Sequence, residues 1–318
     1  MFEVTLTRKE LEADNIFLFE FQHPDGSALP PFTAGSHIDV QVRPGLIRQY
    51  SLCNHPQERH RYQLGVLQTT DSRGGSKGMH EDLHVGQTVW ISEPRNLFEL
   101  EPEAAHSLLF AGGIGITPIL SMAEVLSDQG QSFSLFYFAR SAASAAFVKR
   151  VEASSYSSSS RCQFDDDGGQ ARLDVRELLS HPQPHKHLYI CGPGGFMDFV
   201  LGVARELHWP EANLHREYFS APASGEEQNS DQFEIQVAST GQVLEVGPQQ
   251  TVTDVLLAVG IEIPVSCQQG ICGTCVTKVL DGVPDHRDYY LSDREKTSND
   301  QFTPCCSRAK SKRLVLDL

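Results

Sequence analysis

The last 52 residues carry five of the chain's eight cysteines, and their spacing constrains the fold more than any other feature. The order is Cys267-x4-Cys272-x2-Cys275, then 29 residues, then Cys305 with Cys306 beside it. Zinc sites usually repeat C-x2-C or add histidines, and here only one C-x2-C occurs, next to an x4 offset. Disulfides account poorly for such a cluster when no secretory signal is visible at the N-terminus. The spacing fits the C-x4-C-x2-C…C pattern of plant-type [2Fe–2S] centres. Two sulfide-bridged irons need four thiolates converging on one small volume, and a short loop with glycines lets three of them wrap it. Gly270 and Gly273 supply that freedom and let backbone N–H groups approach the sulfurs. Cys267, Cys272, Cys275 and Cys305 are the expected metal ligands. The fourth is expected on a distant strand, with Cys306 on that strand's other face as a buried or half-buried free thiol.

The remaining chain is too long for one further domain, since 318 residues point to two or three in all. Residues 1–103 read as an antiparallel β-barrel: short alternating runs at Phe2–Thr7, Ile16–Phe21, His37–Val42, Tyr62–Val66 and Thr88–Ser92 are separated by turn residues. Residues 104–220 alternate strands and helices, which implies an α/β domain on a parallel sheet. Its strands are expected at Ser107–Ala111, Phe133–Ala139 and His187–Ile190. The serine-rich Ser154–Ser160 reads as an exposed, mobile loop. The small, polar run Ala221–Gln232 reads as a linker. Residues 233–318 form the α+β domain that carries the cysteines, with a hairpin at Phe233–Val237 and Val243–Val246 and a helix at Thr251–Val259.

Two glycine-rich loops follow strands of the α/β domain. Gly112-Gly113-Ile114-Gly115-Ile116-Thr117-Pro118 opens a helix, where free N–H groups and the helix dipole favour a pyrophosphate. Alone it is a weak signal, equally readable as a tight turn. Cys191-Gly192-Pro193-Gly194-Gly195 repeats the arrangement and places Cys191 at the carboxyl edge of the sheet, where open α/β sheets bind ligands. In the barrel, Arg48 can grip a phosphate bidentately, Tyr50 can stack on a ring and the Ser51 hydroxyl can reach a polar edge. Arg73-Gly74-Gly75-Ser76 precedes a helical start and offers further N–H groups and a hydroxyl. Each motif by itself is also compatible with an ordinary strand or surface turn.

The formal net charge of −15 argues against nucleic acid as a partner. No run approaches the roughly 20 apolar residues of a membrane helix, so no membrane partner and a cytoplasmic location are expected.

Taken in order, R-x-Y-S, G-G-S, G-G-I-G-I-T-P, C-G-P-G-G and the cysteine pattern resemble the phthalate dioxygenase reductase family. That family includes the reductase components of vanillate O-demethylase and carnitine monooxygenase type systems. The resemblance spans essentially the whole chain. It implies an FMN-binding barrel of the ferredoxin-reductase type, an NAD-binding domain and a C-terminal plant-type ferredoxin domain. It implies that Arg48, Tyr50, Ser51, Gly74, Gly75 and Ser76 hold FMN. Gly65, Val66, Gly112, Gly113, Gly115, Thr117, Arg140, Cys191, Gly192, Pro193 and Gly194 complete the expected cofactor contacts. Glu217, Tyr218 and Phe219, after the last strand of the NAD-binding domain, are expected to approach the flavin, with Phe219 covering its ring. Ser51, Cys191, Glu217 and Phe219 are the expected catalytic set. The implied activity is an NADH-dependent oxidoreductase that passes electrons through FMN and the [2Fe–2S] cluster to a Rieske-type terminal oxygenase. A diiron monooxygenase as acceptor, or a non-catalytic redox sensor or carrier, is the alternative. The strand end Phe138-Ala139-Arg140-Ser141 has no acidic residue for a ribose 2′-OH, so it does not itself choose between NADH and NADPH; the preference for NADH comes from the resemblance.

Overall fold

The computed structural model describes residues 1–69, 74–166, 172–220 and 232–318, which fall into two compact units, Met1–Glu217 and Tyr218–Leu318. All but the last residue of the expected linker Ala221–Gln232 lies outside the described residues.

The first unit begins with β1 (Phe2–Ala13), β2 (Ile16–Gln22), β3 (Ser36–Arg43), β4 (Leu46–Ser51) and β5 (Tyr62–Leu67). Helix α1 (Gly75–Glu81), β6 (Thr88–Ile91) and β7 (Arg95–Asn96) follow. The sheet order is β4-β3-β6-β1-β2-β5, with β7 beside β3, and a bridge between Leu52 and Leu64 brings its two ends together into a barrel. Alternation sends Val4, Leu6, Phe19, Phe21, Ile38, Val40 and Leu64 inward. Lys9 fastens α1 to the barrel by donating from Nζ to the carbonyls of His80 (2.6 Å) and Leu83 (2.8 Å), a favourable place for a cation at a helix C-terminus.

The chain then turns parallel, through β8 (His106–Gly112), α2 (Ile116–Asp128), β9 (Phe133–Ala139), α3 (Val148–Glu152), β10 (Ser160–Phe164), α4 (Val175–Leu178), β11 (Lys186–Cys191), α5 (Gly194–Glu206) and β12 (Leu214–Glu217). The order β10-β9-β8-β11-β12 reverses direction at β8, so the carboxyl ends of β8 and β11 flank the switch point. Barrel and parallel sheet share apolar packing: Ile16, Leu18 and Cys53 lie in one core with Ala111, Ile119 and Ala123. The Ser121 hydroxyl donates to the Asn54 carbonyl at 3.0 Å.

The serine-rich stretch is exposed at Ser155 and Ser157–Ser159, as its composition suggests, but it is anchored and partly ordered into secondary structure. Tyr156 is buried against Phe133 (ring centroids 5.8 Å), Ser157–Ser159 forms a 3-10 turn, and Ser160 starts edge strand β10. Its apolar anchor is a single tyrosine, too little for a periodic signal.

The second unit holds β13 (Phe233–Val237), β14 (Val243–Val246), α6 (Val252–Ala258), β15 (Thr277–Asp281), β16 (Pro284–Asp285), α7 (Asp293–Ser298), β17 (Gln301–Phe302), β18 (Arg308–Ala309) and β19 (Arg313–Leu316). The mixed sheet β14-β13-β19-β15-β17 packs against α6 through Ile235, Val252, Leu256, Val279, Phe302 and Leu314. Thr251 and Asp254 form a capping box that starts α6 where the sequence places it. Residues 259–276, between α6 and β15, contain three of the cysteines. No helix among the described residues is long and apolar enough to cross a membrane.

Candidate functional site

Three strand ends meet in the first unit. Ser51 ends β4, Cys191 ends β11 and Glu217 ends β12, and the last two are register partners on parallel strands. Glu217 is thus the end of the strand itself rather than a residue beyond it. The Ser51 hydroxyl donates to Glu217 Oε2 at 3.0 Å. His37, the register partner of Ser51 on β3, places Nδ1 3.9 Å from Glu217 Oε1. With its side chain only 13% exposed, Glu217 is pushed up by burial to about 7, against the opposing effect of the Ser51 hydrogen bond. Burial beside Glu217 drives the Cys191 thiol well above its ordinary value, so it is a neutral, soft contact surface and not a nucleophile. His37 is lowered to about 4 by burial and by the Arg95 charge, while Asp39 opposes the shift. Arg95 pairs with Asp39 at 2.7 Å.

A second feature lies where the barrel meets α1. Gly74 stands before the helix at φ +87° and, having no side chain, supplies no cap of its own to the first amides. The Arg48 side chain crosses Gly75 so closely that a Cβ there would sit 2.5 Å from its Cγ, and Arg43 Nη2 lies 3.0 Å from where a Gly74 Cβ would stand. Two guanidiniums beside a helix N-terminus at one spot fit a phosphate group. Arg43 was invisible to sequence reasoning because it ends a strand outside any motif. Ser76 accepts a hydrogen bond from the Thr69 amide at 3.3 Å, and Tyr50 packs its ring partly against the barrel core. Arg73 lies outside the described residues.

The glycine loops press on one another. A Cβ on Gly115 would run into the Cys191 carbonyl, and one on Gly192 would lie 2.9 Å from Gly112 Cα. These glycines are therefore required by loop-to-loop packing at the switch point. Gly113, at φ +52° with nothing near its Cβ position, presents open backbone. Pro193 and Gly194 start α5, whose first turn likewise lacks a side-chain cap. Three of the expected contact residues are tightly packed. Val66 is 1% exposed in the barrel core, the Thr117 hydroxyl donates to the Ile114 carbonyl at 3.1 Å, and Gly65 makes room for Thr117 and Phe147. Arg140 is exposed beyond β9. The Asp165 and Asp166 amides donate to the carbonyls of Ala139 (3.1 Å) and Arg140 (3.3 Å), so β10 brings acidic residues to the strand end that lacks its own.

In the second unit, Cys267, Cys272, Cys275 and Cys305 are between 3% and 7% exposed. Cys267 and Cys272 lie within hydrogen-bonding reach of one another, as do Cys275 and Cys305, and Cys305 also reaches its neighbour Cys306. The Gln269 amide donates to Cys267 Sγ at 3.3 Å and the Thr274 amide to Cys272 Sγ at 3.4 Å. The neighbouring Cys267 thiol first, and then Thr274, hold Cys272 well below the usual thiol range against the opposing effect of burial. Gly270 and Gly273 adopt φ +73° and +68°, and the Tyr290 ring fills the space where a Gly273 Cβ would stand. Among the described residues no set of three donors closes on one point as a single metal ion requires; two thiol pairs suit two irons. The expected strand for the fourth ligand is corrected: Cys305 and Cys306 lie in a turn between β17 and β18. Cys306 does not point to an opposite face. Its half-buried Sγ lies against Gly270 and 3.3 Å from Thr303 Oγ1. Tyr218 and Phe219 belong to this unit, where Tyr218 packs on Tyr289 (5.3 Å) and Phe219 is 39% exposed.

Residues 235–310 match the 2Fe-2S iron-sulfur cluster binding domain and residues 109–201 the oxidoreductase NAD-binding domain. The chain is 54% identical over 318 residues to a vanillate O-demethylase oxidoreductase of a Pseudomonas strain, covering 100% of both. It is 38% identical over 314 residues to the phthalate dioxygenase reductase of Burkholderia cepacia, covering 98% of this chain and 96% of that one. A solved structure of phthalate dioxygenase reductase, described as modular for electron transfer from pyridine nucleotides to [2Fe–2S], superposes with a TM-score of 0.78 at 37% identity. It covers 100% of this chain and 98% of its own.

Proposed function

Because the chain belongs to the phthalate dioxygenase reductase family, we propose that it is the NADH-dependent reductase component of a Rieske-type oxygenase system, acting in the cytoplasm. Electrons run from NADH through FMN and the [2Fe–2S] cluster to the terminal oxygenase. The observation that carries this reading is the Ser51–Glu217 hydrogen bond, which joins the barrel to the carboxyl edge of the parallel sheet next to Cys191.

The α1 amides with Arg48, Arg43, Gly74, Gly75 and Ser76 would hold the FMN phosphate, Tyr50 would flank the ring, and Phe219 is the expected ring cover. Bound flavin supplies the conversion of a two-electron hydride into single electrons, which neither nicotinamide nor cluster provides. Ser51 and Glu217 present a hydroxyl and a carboxyl titrating near 7, able to donate or accept a proton where charge develops. The buried Cys191, the open Gly113 backbone and the neighbouring Gly192 and Gly194 would seat the nicotinamide end of NADH. In the second unit, Cys267 and Cys272 would hold one iron and Cys275 and Cys305 the other.

Acid extraction of purified protein should release FMN, with two irons per chain. A chain ending at Ser220 should still oxidise NADH with ferricyanide, but should fail to reduce cytochrome c efficiently or to support a Rieske oxygenase. Full oxygenase turnover by the shortened chain, or bound zinc without iron, overturns the assignment.

A further inference from the structure

The polar face of β3 carries a residue that no motif accounts for. His37 is 4% exposed and lies between Ser51 on β4 and Arg95 on β7, its register partners. Its Nδ1 faces Glu217 Oε1 at 3.9 Å, while Glu217 Oε2 accepts from Ser51. Its Nε2 is buried with no hydrogen-bond partner among the described residues. A buried ring nitrogen without a partner is a standing cost, and an apolar side chain would fill the same space without it. The charged and titratable groups around the ring are Glu217 from β12, Arg95 from β7 and Asp39 on its own strand; β4 contributes the Ser51 hydroxyl. Asp39 and Arg95 are already paired at 2.7 Å, which leaves Glu217 as the group the ring addresses.

We propose that His37 is a positioning residue for Glu217: its neutral Nδ1 lone pair accepts the carboxyl proton of Glu217 at Oε1, reserving Oε2 as the acceptor for Ser51. At 3.9 Å the contact is open, and a small rotation of the carboxyl closes it. The ring proton then resides on Nε2, the nitrogen without a partner. The two oxygens of one carboxyl are thereby made different. Oε1 keeps the proton, and Oε2 orients the Ser51 hydroxyl so that its free lone pairs face the site. The opposite displacements of the two groups, Glu217 toward 7 and His37 toward 4, agree with the proton residing on the carboxyl. This inference rests on the reductase reading for its purpose, but its geometry belongs to the chain alone.

The test is the titration of Glu217 in the intact protein, followed by isotope-edited infrared spectroscopy of the carboxyl and by the pH profile of NADH oxidation with ferricyanide. His37→Phe keeps the ring's shape and removes the acceptor. The expected result is a fall of about tenfold in the proton affinity of Glu217, with the limb of the pH profile moving down by about one unit. His37→Gln, whose amide carbonyl can accept, should restore both. A merely structural role would lower the melting temperature and leave both midpoints in place. An unchanged or raised midpoint in His37→Phe overturns the proposal. Should that variant fail to fold, the nitrogen chemical shifts of His37 in the unaltered protein decide: a proton on Nε2 supports the inference and a proton on Nδ1 overturns it. Failure of the unaltered protein to bind flavin or oxidise NADH would sink the functional reading instead, while the carboxyl titration would still judge His37.

Discussion

Three of the four thiols of the cluster loop lie within nine residues of chain, whereas Ser51 and Glu217 are 166 residues apart. The loop is a local object whose shape is set by covalent spacing and two left-handed glycines. The site in the first unit is a product of tertiary packing: a barrel strand and two parallel strands must each end at the right place before its chemistry exists. Damage to the loop should therefore be all-or-none, and damage to the strand-end site graded.

The sharpest way to break that contrast is at the turn holding Cys305 and Cys306. Cys305→Ser should abolish the visible absorption of the cluster, whereas Cys306→Ser should keep it, because only Cys305 pairs with Cys275. A cluster that survives Cys305→Ser and vanishes in Cys306→Ser would mean that the register across this turn is wrong.

Sequence reasoning fared differently in the two regions for the same reason. The buried cysteine cluster and its two left-handed glycines were legible because spacing along the chain is what such a cluster reads. The turn that carries Cys305 was not, because it depends on Thr303, whose hydroxyl lies 3.3 Å from Cys306 Sγ and 2.9 Å from Ser307 Oγ. In the strand-end site, Ser51, Cys191 and Glu217 were legible through their motifs. His37 and Asp39 were not. They alternate with Ile38 and Val40 and so read as a solvated strand face, yet they are 4% and 8% exposed, with Glu217 of β12 facing His37. An ionisable pair on an otherwise regular strand was the available signal. Val66 and Thr117 show the converse: proximity to a motif suggested contact, and packing directs their side chains into the fold, which leaves their backbone to face a ligand.

Glu217 gives the graded region a pH signature. Its carboxyl is near its ordinary 4.5 in the unfolded chain and is raised to about 7 on folding. Below about 4.5 it is protonated in both states and costs nothing. As pH rises from there to 7 the unfolded chain sheds the proton first, so stability falls across that window and levels off above it. The loss is on the order of 3 kcal/mol at most. Glu217→Gln should accordingly be more stable than the unaltered protein at pH 8 and indistinguishable at pH 4.5, as measured by urea unfolding. Equal stability at pH 8 would mean that the carboxyl is better solvated than its surroundings imply.

Gly115 sharpens the comparison from the packing side. Gly115→Ala should cost about 2 kcal/mol, because the new methyl meets the Cys191 backbone, which has no rotamer to yield. The midpoint of urea unfolding should shift while the cluster spectrum stays unchanged. If the cluster is lost as well, its loop is not the self-contained object argued here.

The smallest effect is expected at Arg43, and it tests how far the strand-end region extends. Arg48 lies across Gly75 and belongs to a motif; Arg43 reaches Gly74 from the end of β3 and belongs to none. Both guanidiniums stand beside the start of α1, whose N-cap Gly74 has no side chain, so an anion there meets two charges and a helix terminus. Arg43 is exposed, and its attraction is screened by salt. Removing it should weaken flavin binding by about tenfold at low ionic strength, near 1.4 kcal/mol, and less at high salt. Arg48→Gln, on the less exposed side of the same cradle, should cost more and depend less on salt. Flavin affinity measured by fluorescence at two ionic strengths separates the cases. A loss in Arg43→Gln that salt does not change would mean that the side chain supports the Gly74 turn rather than meeting a phosphate.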